Sequence, residues 1–208
     1  MVSIKKNVST YYTQKLEEYG DTPRGVDWND EQSQKLRFKL LTESLLYTES
    51  KFSICDYGSG MGHLATYLQD INYDFSYHGF DISESMVETA SKKFTQNQHI
   101  TFSTKLEDER KFDFTIASGI FNVKLGHTDE EWWNYILETI RHFDQLSIRG
   151  FAFNCLTNFS DPDKMRHDLY YANATDLFNF CMKRYGKKVS LLHDYPLYEF
   201  TILVRKLS

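Results

Sequence analysis

The run Asp56-Tyr57-Gly58-Ser59-Gly60-Met61-Gly62 is the stretch of this sequence best suited to holding a small ligand. Gly58 and Gly60 permit backbone angles and close approaches that a side chain would forbid. A dinucleotide fingerprint of the form G-x-G-x-x-G, counted from Gly58, would need glycine at position 63, where the chain has His63. The spacing is instead Asp-x-Gly-x-Gly-x-Gly, with Asp56 two residues ahead of the first glycine. An acid there suits a ligand whose end carries a cationic amine and would repel a pyrophosphate. Further on, Gly79-Phe80-Asp81-Ile82-Ser83 puts a carboxylate where it can accept from both hydroxyls of a ribose. Leu106-Glu107-Asp108 offers an acid that could accept from an adenine amino group.

These residues depend on alternating strands and helices for their positions. Two helices are predicted ahead of the glycine run, over 8–19 and 29–46. The second opens Asn29-Asp30-Glu31-Gln32 as an N-cap and carries Leu36, Leu40, Leu41 and Leu45 on one face. Strands are predicted at 52–57, 75–81, 100–103 and 112–118, with helices over about 62–69 and from Ser83 through Phe94. A long helix over 129–146 has Thr128 and Glu131 in capping-box positions, with Trp132, Trp133, Ile136, Leu137, Ile140 and Phe143 as its apolar face. A strand at 147–155, a helix at 173–185 and strands at 188–192 and 197–204 complete the chain. This alternation predicts an α/β, doubly wound, Rossmann-like sheet of seven strands. It is mostly parallel with an antiparallel last strand, has helices on both faces, and binds ligands outside the carboxyl ends of its strands. Residues 1–208 read as one domain, with 1–50 a helical cap and 51–208 the core.

Composition narrows the function classes. Of 208 residues, 41% are hydrophobic and 25% charged, which is ordinary for a globular domain with a real core. A formal net charge of −5 argues against a dedicated nucleic-acid binder. Cys55, Cys155 and Cys181 form no CxxC pair, and the first two sit in apolar runs, so a reduced, cytoplasmic protein is expected. The amino terminus lacks the apolar stretch of a signal peptide, no apolar run is long enough to span a bilayer, and no membrane association is expected. The seven histidines show no HxxxH or HxH spacing, so no metal is expected.

From about Phe52 to Phe121 the residues resemble the class I S-adenosylmethionine-dependent methyltransferase family, and the order of elements fits through residue 208. The resemblance implies S-adenosylmethionine as cofactor and S-adenosylhomocysteine as product. Asp56, Gly58, Ser59 and Gly60 would surround the methionine part. Asp81 would bind the ribose, with Ile82 and Met86 against the adenine. Leu106 and Glu107, or Asp108 in its place, would face the adenine edge. Ser118-Gly119-Ile120-Phe121-Asn122 would stand where substrate and sulfonium meet. The N/D-P-P-Y/F motif of members that methylate adenine or protein amides is absent from that position.

Methyl transfer from a sulfonium needs alignment above all, plus removal of a proton if the acceptor is a hydroxyl. Three segments could cap the pocket. The first supplies Tyr11, Tyr12, Arg24 and Trp28. Arg24 could pair with the cofactor carboxylate or an anionic substrate, or remain a solvated loop arginine. The second, 154–173, is long for a loop and supplies Tyr170 and Tyr171, either for packing or for substrate. The third is the turn His193-Asp194-Tyr195. His193, beside Asp194, leads the general-base candidates because imidazole titrates near neutrality, and His127 follows. The expected activity is O-methylation of a small polar acceptor such as a sugar or sugar-linked metabolite, by a monomer or homodimer, as in bacterial members of surface-polysaccharide gene sets. The alternatives are N-methylation of an amine or protein side chain, and a non-catalytic S-adenosylmethionine-binding subunit.

Overall fold

A computed structural model describes residues 2–28, 30–43, 51–107 and 109–206. The elements run α1 (Val2–Tyr19), α2 (Glu31–Glu43), β1 (Phe52–Tyr57), α3 (His63–Asp70), β2 (Phe75–Phe80), α4 (Glu84–Lys93), β3 (Ile100–Ser103), β4 (Phe112–Ala117), α5 (Asp129–Leu146), β5 (Ser147–Leu156), α6 (Ala174–Tyr185), β6 (Val189–Leu192) and β7 (Glu199–Arg205). The seven strands form one sheet in the order β3-β2-β1-β4-β5-β7-β6, and only β7 runs against the rest. The doubly wound α/β sheet expected from the alternation is therefore present, with its antiparallel strand last in sequence.

β1 shows why the sheet is covered twice. Its Phe52 and Ile54 enter one apolar core with Leu64, Leu68 and Phe114, while Cys55 and Tyr57 enter the other with Ile136, Phe143 and Phe153. A parallel strand buried on both faces reads as a continuous apolar run, and all three cysteines are buried free thiols in such surroundings. The capping box of α5 is formed: Thr128 Oγ1 accepts from Glu131 N, and Glu131 Oε2 accepts from Thr128 N. Among the described residues, no helix is long and apolar enough to cross a membrane.

Two helices differ from expectation. α1 begins at Val2 rather than residue 8, because Ile4 and Val8, one turn apart and both buried, extend its packing stripe toward the amino terminus. In α2 the buried face includes Gln34, Arg37, Phe38 and Leu41, at i, i+3, i+4 and i+7, so that of the expected leucine stripe Leu41 is buried but the face as a whole is rotated toward polar residues. Leu36 and Leu40 are only half-buried, and Asn29 and 44–46 lie outside the described residues. Asp30 serves this helix start, its Oδ1 accepting from Ser33 N at 2.8 Å. The rotation has a physical reason: the polar members of the face border cavities, where they meet partners other than apolar side chains.

In the strand order, the chain leaves β1 toward β2 on one side and returns through β4 on the other. Connections at the carboxyl ends of β1 and β4 therefore diverge, leaving a crevice between them.

Candidate functional site

The glycine run spans that crevice. The N–H groups of Gly58 and Ser59 both donate to Phe80 O, at 2.7 and 3.0 Å, which ties the turn after β1 to the end of β2. Gly60 has φ +51, a left-handed angle that a side chain resists. Its N–H donates to Asp81 Oδ2 at 2.8 Å, and Asp81 Oδ1 accepts from Ser83 N at 2.9 Å, fixing the carboxylate at the crevice wall. Burial raises the Asp81 pKa, while these backbone donors pull against the rise.

Asp56 is buried in the floor of the same crevice, where Tyr77 Oη donates to its Oδ2 at 2.5 Å. Burial, with repulsion from Asp81 adding to it and the Tyr77 bond opposing it, raises its pKa to about 7. An acid held there is half-ionised at neutrality and would gain a full charge on meeting a cation.

The resulting cavity is open at its mouth, with about 830 Å³ of space when the solvent there is included. It is lined by Asp56, Gly58, Ser59 and Gly60 from the first turn, and by Asp81, Ile82 and Met86 after β2. Ser118, Gly119 and Ile120 close it after β4, and Trp28 caps it. Ser59 Oγ and Ser118 Oγ are buried in its wall without a hydrogen-bond partner. Buried hydroxyls left unpaired are costly, so a polar ligand is the natural partner for both. A carboxylate at the ribose position, an acid at the amine end and apolar Ile82 and Met86 on the adenine side fit S-adenosylmethionine.

A second cavity of about 960 Å³ adjoins the first and shares Tyr12, Val26, Trp28 and Gly119 with it. Its further walls include Arg37 from α2, Asn122 after β4, Lys164, Arg166 and Tyr171 from the 154–173 segment, and Glu199 at the start of β7. Within the 154–173 segment a bridge pairs Thr157 with Ala172 and so closes its two ends together, and a second pairs Leu169 with Val123 in the turn after β4. A buried relay runs behind the shared wall. Arg37 Nε and Nη2 donate to Glu199, at 2.9 and 2.6 Å, and Asn154 Nδ2 donates to Glu199 Oε2 at 2.6 Å. Asn154 Oδ1 in turn accepts from Gly119 N at 2.7 Å.

Several sequence candidates lie elsewhere. Arg24 is exposed in the short turn after α1 and lines neither cavity. Tyr11 points its hydroxyl at Asp27 Oδ2, 2.8 Å away, leaving Asp27 itself on the second cavity. Leu106 packs half-buried on the core and Glu107 is exposed, both away from the lining; Asp108 lies outside the described residues. Tyr170 also packs on the core, its N–H donating to Asn122 O. His193 and Asp194 are exposed on the β6–β7 connection and border neither cavity. Their distance from the crevice follows from topology, since β6 is the sheet's edge strand, separated from β4 by β5 and β7. His127 bonds Asn7 at 3.2 Å and lies on Trp132, also outside both linings. Among the described residues, no group of three or more His, Cys, Asp and Glu is placed to hold a metal.

Beside Tyr12, already a candidate, the structure brings in residues that the sequence did not single out. Val8 and Tyr12 of α1 and Gln34 and Phe38 of α2 line the first cavity, each pair at i, i+4 spacing. His63 joins them, its Nδ1 beside Gln34 Nε2 at 3.0 Å and its Nε2 beside Asp21 Oδ1 at 2.8 Å. Helical spacing could have found the two pairs. Nothing in the sequence couples Arg37 to Glu199, which are 162 positions apart.

Comparison with known proteins agrees with this geometry. The model of a methyltransferase domain family matches residues 54–143. The Mycobacterium tuberculosis protein Rv1506c, a methyltransferase by name, is 48% identical over 157 residues, covering 76% of this chain and 95% of its own. The fold matches Synechocystis magnesium protoporphyrin IX methyltransferase with bound S-adenosylmethionine, at TM-score 0.66 and 18% identity over 98% of this chain and 97% of that one. It also matches Burkholderia thailandensis 1,6-didemethyltoxoflavin-N1-methyltransferase, at TM-score 0.66 and 17% identity over 99% of this chain and 91% of that one.

Proposed function

Because the chain belongs to the class I S-adenosylmethionine-dependent methyltransferase family, we propose that it methylates an oxygen of a small polar acceptor, a sugar or sugar-linked metabolite, as a cytoplasmic single-domain enzyme. The observation that carries this reading is the wall of Tyr12, Val26, Trp28 and Gly119 common to both cavities. S-Adenosylmethionine supplies an electrophilic methyl group on sulfur. The chain's task is then alignment: the first cavity holds the cofactor and the second presents the acceptor oxygen across the shared wall. The second cavity suits a sugar-sized molecule, combining the aromatic faces of Trp28 and Tyr171 with the polar groups of Arg37 and Asn122.

The test is isotope transfer from methyl-labelled S-adenosylmethionine to a panel of monosaccharides, uronic acids, sugar phosphates, amines and peptides. Label on a sugar oxygen is expected. Turnover confined to amines or peptides would replace the reading with N-methylation, and tight cofactor binding without turnover would replace it with a non-catalytic subunit.

Two results should follow from the cofactor cavity. Asp81→Ala removes the acceptor of Gly60 N and the ribose partner, and is expected to weaken S-adenosylmethionine binding by about 1.5–3 kcal/mol, the range for hydrogen bonds to a charged group. Calorimetry showing unchanged affinity would remove Asp81 from the site. The second concerns pH. An acid whose pKa rises to about 7 on folding favours the native state at low pH, and loses that advantage as pH rises through 7. A bound cation reverses the preference by stabilising the ionised form. Cofactor affinity should therefore increase up to about tenfold per pH unit below 7 and level off above it. Calorimetric titration across that range, showing a flat profile, would remove Asp56 from contact with the cofactor amine.

A further inference from the structure

The buried arginine of the second cavity is only partly used. Arg37 is 8% exposed, and its Nε and Nη2 are taken by Glu199, yet its Nη1 is buried without a hydrogen-bond partner. Trp28 covers one face of the guanidinium, with its ring centroid 4.0 Å from Cζ. A guanidinium N–H in such a setting pairs best with an oxyanion, because the charge-assisted bond is about twice as strong as a neutral one.

The other charged groups of the cavity point the same way. Glu199 accepts from Arg37 and Asn154, and Asp27 accepts from Tyr11 and lies 3.0 Å from Lys15 Nζ, so each carboxylate oxygen there already has a protein partner. On the cationic side Arg166 is held by Asp168, whereas Arg37 Nη1 has no hydrogen-bond partner and the exposed ammonium of Lys164, paired with Asp163 at 3.5 Å, keeps further donors. A neutral polyol could also accept from the open cationic donors, but only as an uncharged acceptor, and its hydroxyl donors would meet carboxylates that are already engaged. An acceptor-rich anion would meet donors that are still open.

We infer that the acceptor carries a carboxylate or phosphate, held by Arg37 Nη1 with Lys164 as the outer cation. This rests on the reading of the second cavity as the acceptor site.

The test is calorimetric titration of the protein, saturated with S-adenosylhomocysteine, against glucuronate, glucose 6-phosphate, inorganic phosphate and glucose. Binding of at least one anionic probe, at least tenfold tighter than glucose and weakening with added salt, is expected. Preference for glucuronate would identify the carboxylate source, and preference for glucose 6-phosphate or inorganic phosphate the phosphate source. Arg37→Lys keeps a cation opposite Glu199 but removes Nη1, and should erase the preference. A rise in melting temperature on adding S-adenosylhomocysteine reports that this variant is folded. Lys164→Ala, at an exposed position, should reduce anion affinity about threefold and make it less sensitive to salt. Glucose binding as well as the anions, no anion binding at all, or a preference unchanged in Arg37→Lys would each overturn the inference. If the anions bind at Arg37 while no sugar is ever methylated, the sugar reading fails and the anion site stands. If neutral sugars are methylated as fast as their acidic counterparts, the anion site fails and O-methylation stands.

Discussion

Glu199→Ala is expected to lower folding stability by about 3–5 kcal/mol, the usual cost of stranding one member of a buried ion pair. Glu199 is 1% exposed and accepts from Arg37 Nε and Nη2 and from Asn154 Nδ2. Without it, Arg37 remains buried with no carboxylate and Asn154 loses the partner of its amide. A small domain is stable by only about 5–15 kcal/mol, so the variant should unfold at markedly lower urea concentration, with little change in the slope of the transition. Glu199→Gln should lose less, since it can still accept from Asn154 and Arg37, though without the charge. A denaturation midpoint for Glu199→Ala within error of the wild type would mean that Arg37 finds another partner and that the relay to Gly119 carries no weight. The same residue links stability to the site, because Asn154 holds the N–H of Gly119.

Gly119→Ala is expected to reduce kcat/KM by about a hundredfold, the scale associated with displacing reacting groups by about 1 Å. Gly119 has φ +75, and a Cβ there would meet Trp28 Cη2 at 2.3 Å and Cζ2 at 2.4 Å. The indole cannot simply retreat, because Arg37 stacks on its ring. Either Trp28 swings into a cavity or the turn after β4 shifts, and the backbone angle adds about 1–3 kcal/mol of strain. Both outcomes disturb the wall that the two cavities share, where transfer is proposed to occur. Steady-state methyl transfer, with cofactor affinity measured separately, resolves the effect, and a rate within twofold of the wild type would show that transfer does not occur at this wall.

The fold was legible in the sequence because hydrophobic periodicity is local. β1, β3 and α5 have the boundaries that their alternation and caps indicate, since strand runs such as 52–57 and the Thr128–Glu131 box are complete within a few residues. The glycine run and Asp81 stand together in the first cavity for the same reason: a turn and a strand end, both local features, place them. The 154–173 segment was singled out by its length and its place after the fifth strand, and the structure adds which of its residues face the second cavity, among them Lys164, Arg166 and Tyr171 but not Tyr170.

The second cavity was legible only in part: Trp28, Asn122 and Tyr171 line it, but its charged members Arg37 and Glu199 were not found. Chemistry-bearing types such as His193 and His127 draw attention in a sequence, but the edge position of β6 leaves the first far from the crevice, and Trp132 and Asn7 engage the second. Arg37 sat unremarked on a helix whose leucines suggested a different inward face.

By itself, the sequence determined a doubly wound sheet and a cofactor turn closed by glycines and two acids. Those depend on short-range geometry: residue period, backbone angles at glycine, and the strand ends. Only the tertiary structure decided what stands opposite the cofactor, because that wall is assembled from α1, α2, the turn after β4, the 154–173 segment and β7. A buried charge pair 162 positions apart in the chain exists only once the sheet has closed around it, and no local pattern encodes such a contact.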